Sequence, residues 1–264
     1  MKLHHLNAGW LHKPPGPRAS CHCLLIEGRT GLVLVDTGIG LEDVRDPEGR
    51  IGRQTIDAAG FQFREEETAA RQIERLGLRP EDVTDIVLTH ADPDHAGGLA
   101  DFPNATVHLS AEELAAVGAN SGRYAAAQFR HGPKWRTHAV RESDRRWFGI
   151  EGVPLPIGLP TEILLVWLPG HTLGHCGVAV RNEETWTLHV GDAYYLRVEL
   201  TTDDHPVSQL TEMRAEDNGL RKRSLEHLRR LAREHAGEIT LFGYHDVGEF
   251  PTSVDPPAWR AQPG

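Results

Sequence analysis

The sequence predicts an α/β fold, on three observations. Short apolar runs bounded by glycine, proline and aspartate recur along the chain and read as buried strands. Between them lie stretches in which apolar residues recur at helical spacing with charges on the other face. Several strands end in histidine or aspartate, most densely in residues 89–99, THADPDHAGGL. At 264 residues, 39% hydrophobic and 25% charged, the chain has the make-up of an ordinary globular protein. A formal net charge of -10 argues against nucleic acid or an anionic membrane as the main partner and leaves a small molecule. The start, MKLHHLNAGWLHKPPGP, has no signal-peptide core and no membrane span, so a cytoplasmic protein is expected. Cys21 and Cys23 sit two apart on one strand and cannot easily bridge; with Cys176 the count is odd. They read as small core residues in a reducing compartment.

Taken in order, residues 2–7 form a first short strand and residues 12–17 (HKPPGP) a loop. Residues 21–27 (CHCLLIE) and 31–36 (GLVLVD) pair as an antiparallel hairpin. The second run ends in Asp36, which either forms a turn or supports a metal ligand from behind. Residues 41–63 show no clear period. Residues 65–76 form a helix, with Ala69, Ile73 and Leu76 on one face and Gly77 at its end. Residues 83–89 (VTDIVLT) are a strand that runs into the His/Asp loop, where Gly97 and Gly98 permit a sharp turn and close backbone approach. Residues 105–109 form another strand, with His108 structural. Ser110 and Glu113 then give a capping-box signature before an Ala/Leu-rich helix.

Residues 119–149 lack periodicity and scatter Tyr124, Phe129, His131, Trp135, Trp147 and Phe148 among arginines and glycines. They read as a lid or substrate wall, with a satellite hydrophobic cluster as the bland alternative. The second half repeats the logic of the first. Residues 162–168 are a strand that runs into Pro169-Gly170-His171-Thr172, with His175 following. Residues 176–180 and 185–190 are strands, the latter ending in Gly191-Asp192, with His189 packed inside it. A long helix covers 219–235 with Leu220, Leu225, Leu228 and Leu231 inward. Residues 238–244 form the last strand, ending in His245-Asp246, and a proline-rich tail follows from about 250.

Strand ends therefore deliver Asp36, then His90, Asp92, Asp94 and His95, then His171, Asp192 and His245. Imidazole and carboxylate together, in tight loops, are what zinc and its neighbours accept. In this order the segments VDTG, THADPDHAGG, PGHT, GD and YHD resemble the metallo-β-lactamase-fold metallohydrolases, in the lactonase and glyoxalase-II-like branch, over residues 24 to about 246. The resemblance implies an αββα four-layer sandwich, a single domain over 1–264 with a lid insertion at about 119–149, and a dinuclear metal site at one edge of the sheets. It implies that His90, Asp92 and His171 hold one metal, that Asp94, His95 and His245 hold the other, and that Asp192 bridges them.

Asp92 departs from the commoner family pattern, which has histidine there. Zinc is the first expectation, with manganese or iron admitted by the extra carboxylate. Three carboxylates and a bridging hydroxide bring two divalent ions to neutrality, which leans toward a neutral ester or lactone over a phosphodiester. The implied reaction is hydrolysis of a small ester or lactone by the bridging hydroxide, with Asp94 moving the proton and Tyr195 donating to the oxyanion. A glyoxalase-II-like thioesterase and an iron-dependent oxidoreductase such as a sulfur dioxygenase are the alternatives. An antibiotic β-lactamase fits less well, since Asp192 stands where several of those enzymes place cysteine. His175 is expected to support the metal loop by hydrogen bonding.

Overall fold

Residues 1–251, apart from 30, 120 and 121, are described by a computed structural model; residues 252–264 of the proline-rich tail lie outside the described residues. The strands are β1 (Lys2–His12), β2 (Arg18–Glu27), β3 (Leu32–Val35), β4 (Phe61–Gln62), β5 (Val83–Val87), β6 (Thr106–Ser110), β7 (Lys134–His138), β8 (Arg146–Trp147), β9 (Ile150–Pro154), β10 (Ile163–Trp167), β11 (Cys176–Asn182), β12 (Thr185–His189) and β13 (Ile239–Phe242). They form two sheets, ordered β4-β1-β2-β3-β5-β6-β7 and β13-β12-β11-β10-β9-β8. The predicted hairpin is present, with β2 antiparallel to β3 and Leu25 opposite Leu34. From β3 through β7 the first sheet is parallel. The second is antiparallel except where β13 joins β12.

Strand alternation decides which residues meet. Leu24, Ile26, Val33, Val35 and Val87 face Ile163, Leu165, Val178, Val180 and Phe242 across the space between the sheets. Their neighbours Leu25, Leu34 and Ile86 point outward. They pack under Ala69, Ala70 and Ile73 of the helix Ala69–Arg75. On the outer face of the second sheet, Leu164, Val166, Leu188 and Leu241 pack under Leu225, Leu228 and Leu231. Those leucines belong to the long helix Asn218–Glu234. Helix, sheet, sheet, helix is the αββα order.

Three departures from expectation have local causes. β1 runs five residues further than the 2–7 expected, because after a bulge Trp10, Leu11 and His12 go on pairing with Ser20, Ala19 and Arg18 of β2, and Trp10 and Leu11 also pair with Gln62 and Phe61 of β4. Residues 41–63 hold three helices, Leu41–Arg45, Pro47–Arg50 and Arg53–Ala59, each too short to show a period. Within 119–149, β7 extends the first sheet, and Trp135 on it packs against Phe129 at 5.7 Å between ring centroids. The three cysteines are free and buried. Among the described residues, no helix is long and apolar enough to cross a membrane.

Candidate metal centre

The His/Asp loop lies at the carboxyl end of β5, with Pro93–Ala96 as a single helical turn. Its glycines are set by space: a Cβ on Gly98 would fall 2.7 Å from the Thr37 carbonyl oxygen. His171 follows β10, Asp192 follows β12 and His245 follows β13. Gly191 has φ +55, and a Cβ there would meet His175 Nε2 at 2.6 Å, so only glycine lets the Asp192 turn sit against His175.

All seven residues expected at the metals come together. The ligand atoms of His90, Asp92 and His171 lie within 4.8 Å of one another, as do those of Asp94, His95 and His245. His90, His95 and Asp192 form a third such group that spans the two triads. Asp192 Oδ2 is 3.3 Å from Nε2 of both His171 and His245, and its Oδ1 is 3.3 Å from His95 Nε2. One carboxylate thus touches both triads.

These residues fit divalent cations. Nε2 of His90, Nε2 of His95 and Oδ1 of Asp192 are buried with no hydrogen-bond partner. Buried orphan acceptors are costly. His95 Nε2 and Asp192 Oδ1 face each other at 3.3 Å, and a positive charge between them, a proton or a divalent cation, satisfies both. The acid groups also pull on the imidazoles. Burial opposes it, but Asp192, Asp94 and Asp36 hold His95 well above the usual histidine range. Burial and the neighbouring His95 push His90 the other way.

Behind the ligand atoms lies a set of fixed partners. Asp36, with φ +54, accepts from the Thr89 amide and hydroxyl, both at 2.8 Å, and from His95 Nδ1 at 2.9 Å. Asp36 is thus a buried brace for His95, one of the candidate ligands. Thr89 Oγ1 is also 3.0 Å from His90 Nδ1. His245 Nδ1 donates to the Ser20 carbonyl at 2.9 Å. His175 donates from Nδ1 to the Leu168 carbonyl and accepts the Asp192 amide on Nε2 at 3.0 Å, so it holds the Asp192 turn. The Tyr195 ring stands 5.0 Å from the His245 ring and 5.9 Å from the His171 ring. Burial and the Asp192 charge push its phenol well above the usual range, so it carries a proton to donate. His108 is structural, paired with Asp85 and His138.

Three contributors were not legible as site residues. Glu113 takes only half of the capping role: its amide donates to Ser110 Oγ, but its buried carboxylate turns inward. There it accepts from the Ala91 amide, the Tyr124 hydroxyl and the Thr172 hydroxyl, which ties the His/Asp loop to the PGHT loop. Burial raises its carboxyl to about 7. Tyr244 donates to the Asp94 carbonyl at 2.6 Å and stacks on His95 at 3.7 Å. Arg123 grips Asp92 with two hydrogen bonds of 2.6 Å and reaches His171 Nε2 at 2.8 Å. Burial favours a neutral Asp92, but Arg123 with His171 and His90 holds it well below the usual carboxylate range.

The family model of the metallo-beta-lactamase superfamily matches residues 16–239. A probable metallo-hydrolase of Mycobacterium tuberculosis, Rv2300c, is 46% identical over 204 residues, 75% of this chain and 64% of that protein. The chain thus spans just under two thirds of that relative's length. The N-acyl homoserine lactonase AttM of Azorhizobium caulinodans is 29% identical over 89% of this chain and 85% of its own. A solved N-acyl homoserine lactone hydrolase, with N-hexanoyl-L-homoserine bound at its catalytic metal center, shares the fold. Its TM-score is 0.70 at 22% identity, covering 94% of both chains. This chain belongs to the metallo-beta-lactamase superfamily.

Proposed function

We propose that the protein is a metal-dependent hydrolase that cleaves a small ester or lactone at a dinuclear centre. The observation that carries this reading is the placement of Asp192 between two His/Asp triads, with the protonated Tyr195 beside them. The lactonase relatives and their shared fold support the substrate class. Seven oxygen and nitrogen donors suit zinc, and the carboxylate of Asp92 also admits manganese or iron.

Two divalent cations, when bound by these seven residues, would supply an activated water and polarise the substrate carbonyl. The side chains do the rest. Asp94 is the most open of the three carboxylates, its side chain 12% exposed against 4% for Asp92 and Asp192. Its Oδ2 is the oxygen nearer His95 and His245, at 3.7 Å from each. Oδ1 is left to take a proton and pass it to the leaving oxygen. Tyr195 donates its phenolic hydrogen to the carbonyl oxygen as charge grows there. Asp36, Thr89, Ser20 and His175 keep the imidazoles and the Asp192 turn in place, so no reorganisation is needed at the reacting step.

Both sheets feed the site, which supports reading the chain as one domain. Among the described residues of the 119–149 segment, Arg123 and Tyr124 reach the centre and Gln128 donates to the Pro93 carbonyl of the His/Asp loop; we read these as its cover, with β7 as sheet edge. Three free buried thiols support a reducing, cytoplasmic setting.

The test is anaerobic hydrolysis by zinc-reconstituted protein over a panel of lactones, esters, thioesters and phosphodiesters. Lactone or ester cleavage is expected, with Tyr195→Phe lowering turnover by roughly ten- to a thousandfold at unchanged metal content. Preference for a thioester would move the substrate class. Turnover only with iron and oxygen would overturn the hydrolase.

A further inference from the structure

Arg123 comes from a segment that supplies none of the candidate ligands, yet it stands on one triad and not on the other. Nε donates to Asp92 Oδ1 and Nη2 to Oδ2, both at 2.6 Å. Nη2 also lies 2.8 Å from His171 Nε2, and Nη1 donates to the Arg214 carbonyl at 3.1 Å. The guanidinium is thus fixed on three sides, with its side chain 14% exposed. It engages both oxygens of Asp92 and the inward nitrogen of His171; of that triad, His90 Nε2 and the outer His171 Nδ1 are left without a hydrogen-bond partner. Among the described residues no arginine or lysine pairs with Asp94, His95 or His245; their ion-pair partners are one another, Asp36 and Asp192.

A guanidinium is charged at every working pH, and its fork matches a carboxylate. Asp92 has lone pairs enough to serve a guanidinium and a metal together. His171 Nε2 lies 2.8 Å from Arg123 Nη2 and 3.1 Å from Asp92 Oδ2; when it is unprotonated, as metal binding requires, its single lone pair is faced by Arg123. The arginine therefore does more than orient Asp92: it stands against the atoms a cation would need and repels that cation by charge. It also explains why an acid is tolerated at position 92. Histidine there would leave a nearly buried guanidinium without its counter-charge. The neutrality counted from the sequence omitted this arginine, which returns one positive charge to the centre.

We propose that Arg123 makes the two metal positions unequal. The triad Asp94, His95 and His245, with Asp192, takes its cation first and tightly. The triad His90, Asp92 and His171 takes its cation weakly, in competition with the guanidinium. This rests on the metallohydrolase reading above.

The test titrates zinc into the chelator-stripped full chain against a competing chromophoric chelator, for wild type, Arg123→Ala and Arg123→Gln. Wild type should bind two equivalents at least about tenfold apart in affinity. Both variants should leave the tight equivalent unchanged and strengthen the weak one about tenfold or more, closing the gap. Arg123→Gln keeps hydrogen-bond donors without the charge and carries the comparison if Arg123→Ala does not fold, as a melting curve would show. A weak equivalent that weakens further, or does not move, overturns the competition. Two equal wild-type equivalents overturn it too, while leaving the dinuclear reading standing. A wild type that takes up no zinc removes the metallohydrolase reading and this inference with it.

Discussion

The triad His90, Asp92 and His171 and the triad Asp94, His95 and His245 share Asp192 but differ in what stands behind them. In the second, His95 is held by Asp36, His245 by the Ser20 carbonyl, and the Asp94 backbone by Tyr244. Each of those partners leaves the inward-facing atom free. In the first, His171 Nδ1 is buried with no partner, and Arg123 engages the inward atoms of Asp92 and His171. One set of candidate ligands is braced with its inward atoms free, and the other is engaged by a fixed cation, the Arg123 guanidinium. Ligand identity alone does not set a site; the partners on the far side of each ligand decide how ready it is.

Three substitutions break or sharpen that comparison. The largest effect should come from Asp192→Asn, which removes the charge both triads share. Both metal equivalents should be lost and turnover should fall by roughly a thousandfold or more, read by elemental analysis and steady-state kinetics. Loss of one equivalent only would mean that Asp192 belongs to a single triad. Next, Asp36→Ala removes the brace on His95. The tight equivalent should weaken by about ten- to a hundredfold while the weak one stays, as followed in the same zinc titration. Equal weakening of both would show that Asp36 acts through the whole loop. The smallest effect is expected in stability, from Asp92→His. Arg123 is then left nearly buried without its acid, at a cost of about 1–3 kcal/mol in urea unfolding of the metal-free protein. Adding Arg123→Met should restore most of that loss, and a double variant no more stable than Asp92→His would dissolve the link between the two residues.

How much of this could be read from the sequence follows from where each residue's partners lie. The seven strand-end residues were legible because each stands at the end of an apolar run in a short, glycine-rich or proline-marked loop. The inner strands and the long helix were legible for a related reason, since their period is carried by their own residues. Arg123 sits in a stretch without period, and its partner Asp92 is 31 positions away, so nothing local distinguishes it from any surface arginine. Glu113 looked like a helix cap because it occupies a capping position; only the fold shows its carboxylate facing Ala91 and Thr172. The last third of β1 continues past a bulge by pairing with residues 18–20 of β2 and with the two-residue β4, partners that its own residues do not announce.

The central claim is that seven strand-end side chains make one centre with Asp192 between its two halves. Anomalous diffraction from crystals of the zinc-loaded protein tests it most directly. Two peaks are expected about 3.5–4 Å apart, one beside His90, Asp92 and His171 and the other beside Asp94, His95 and His245, with the Asp192 carboxylate reaching both. The first peak should be the weaker at limiting zinc. No peak among these residues, or two peaks neither of which touches Asp192, would contradict the account.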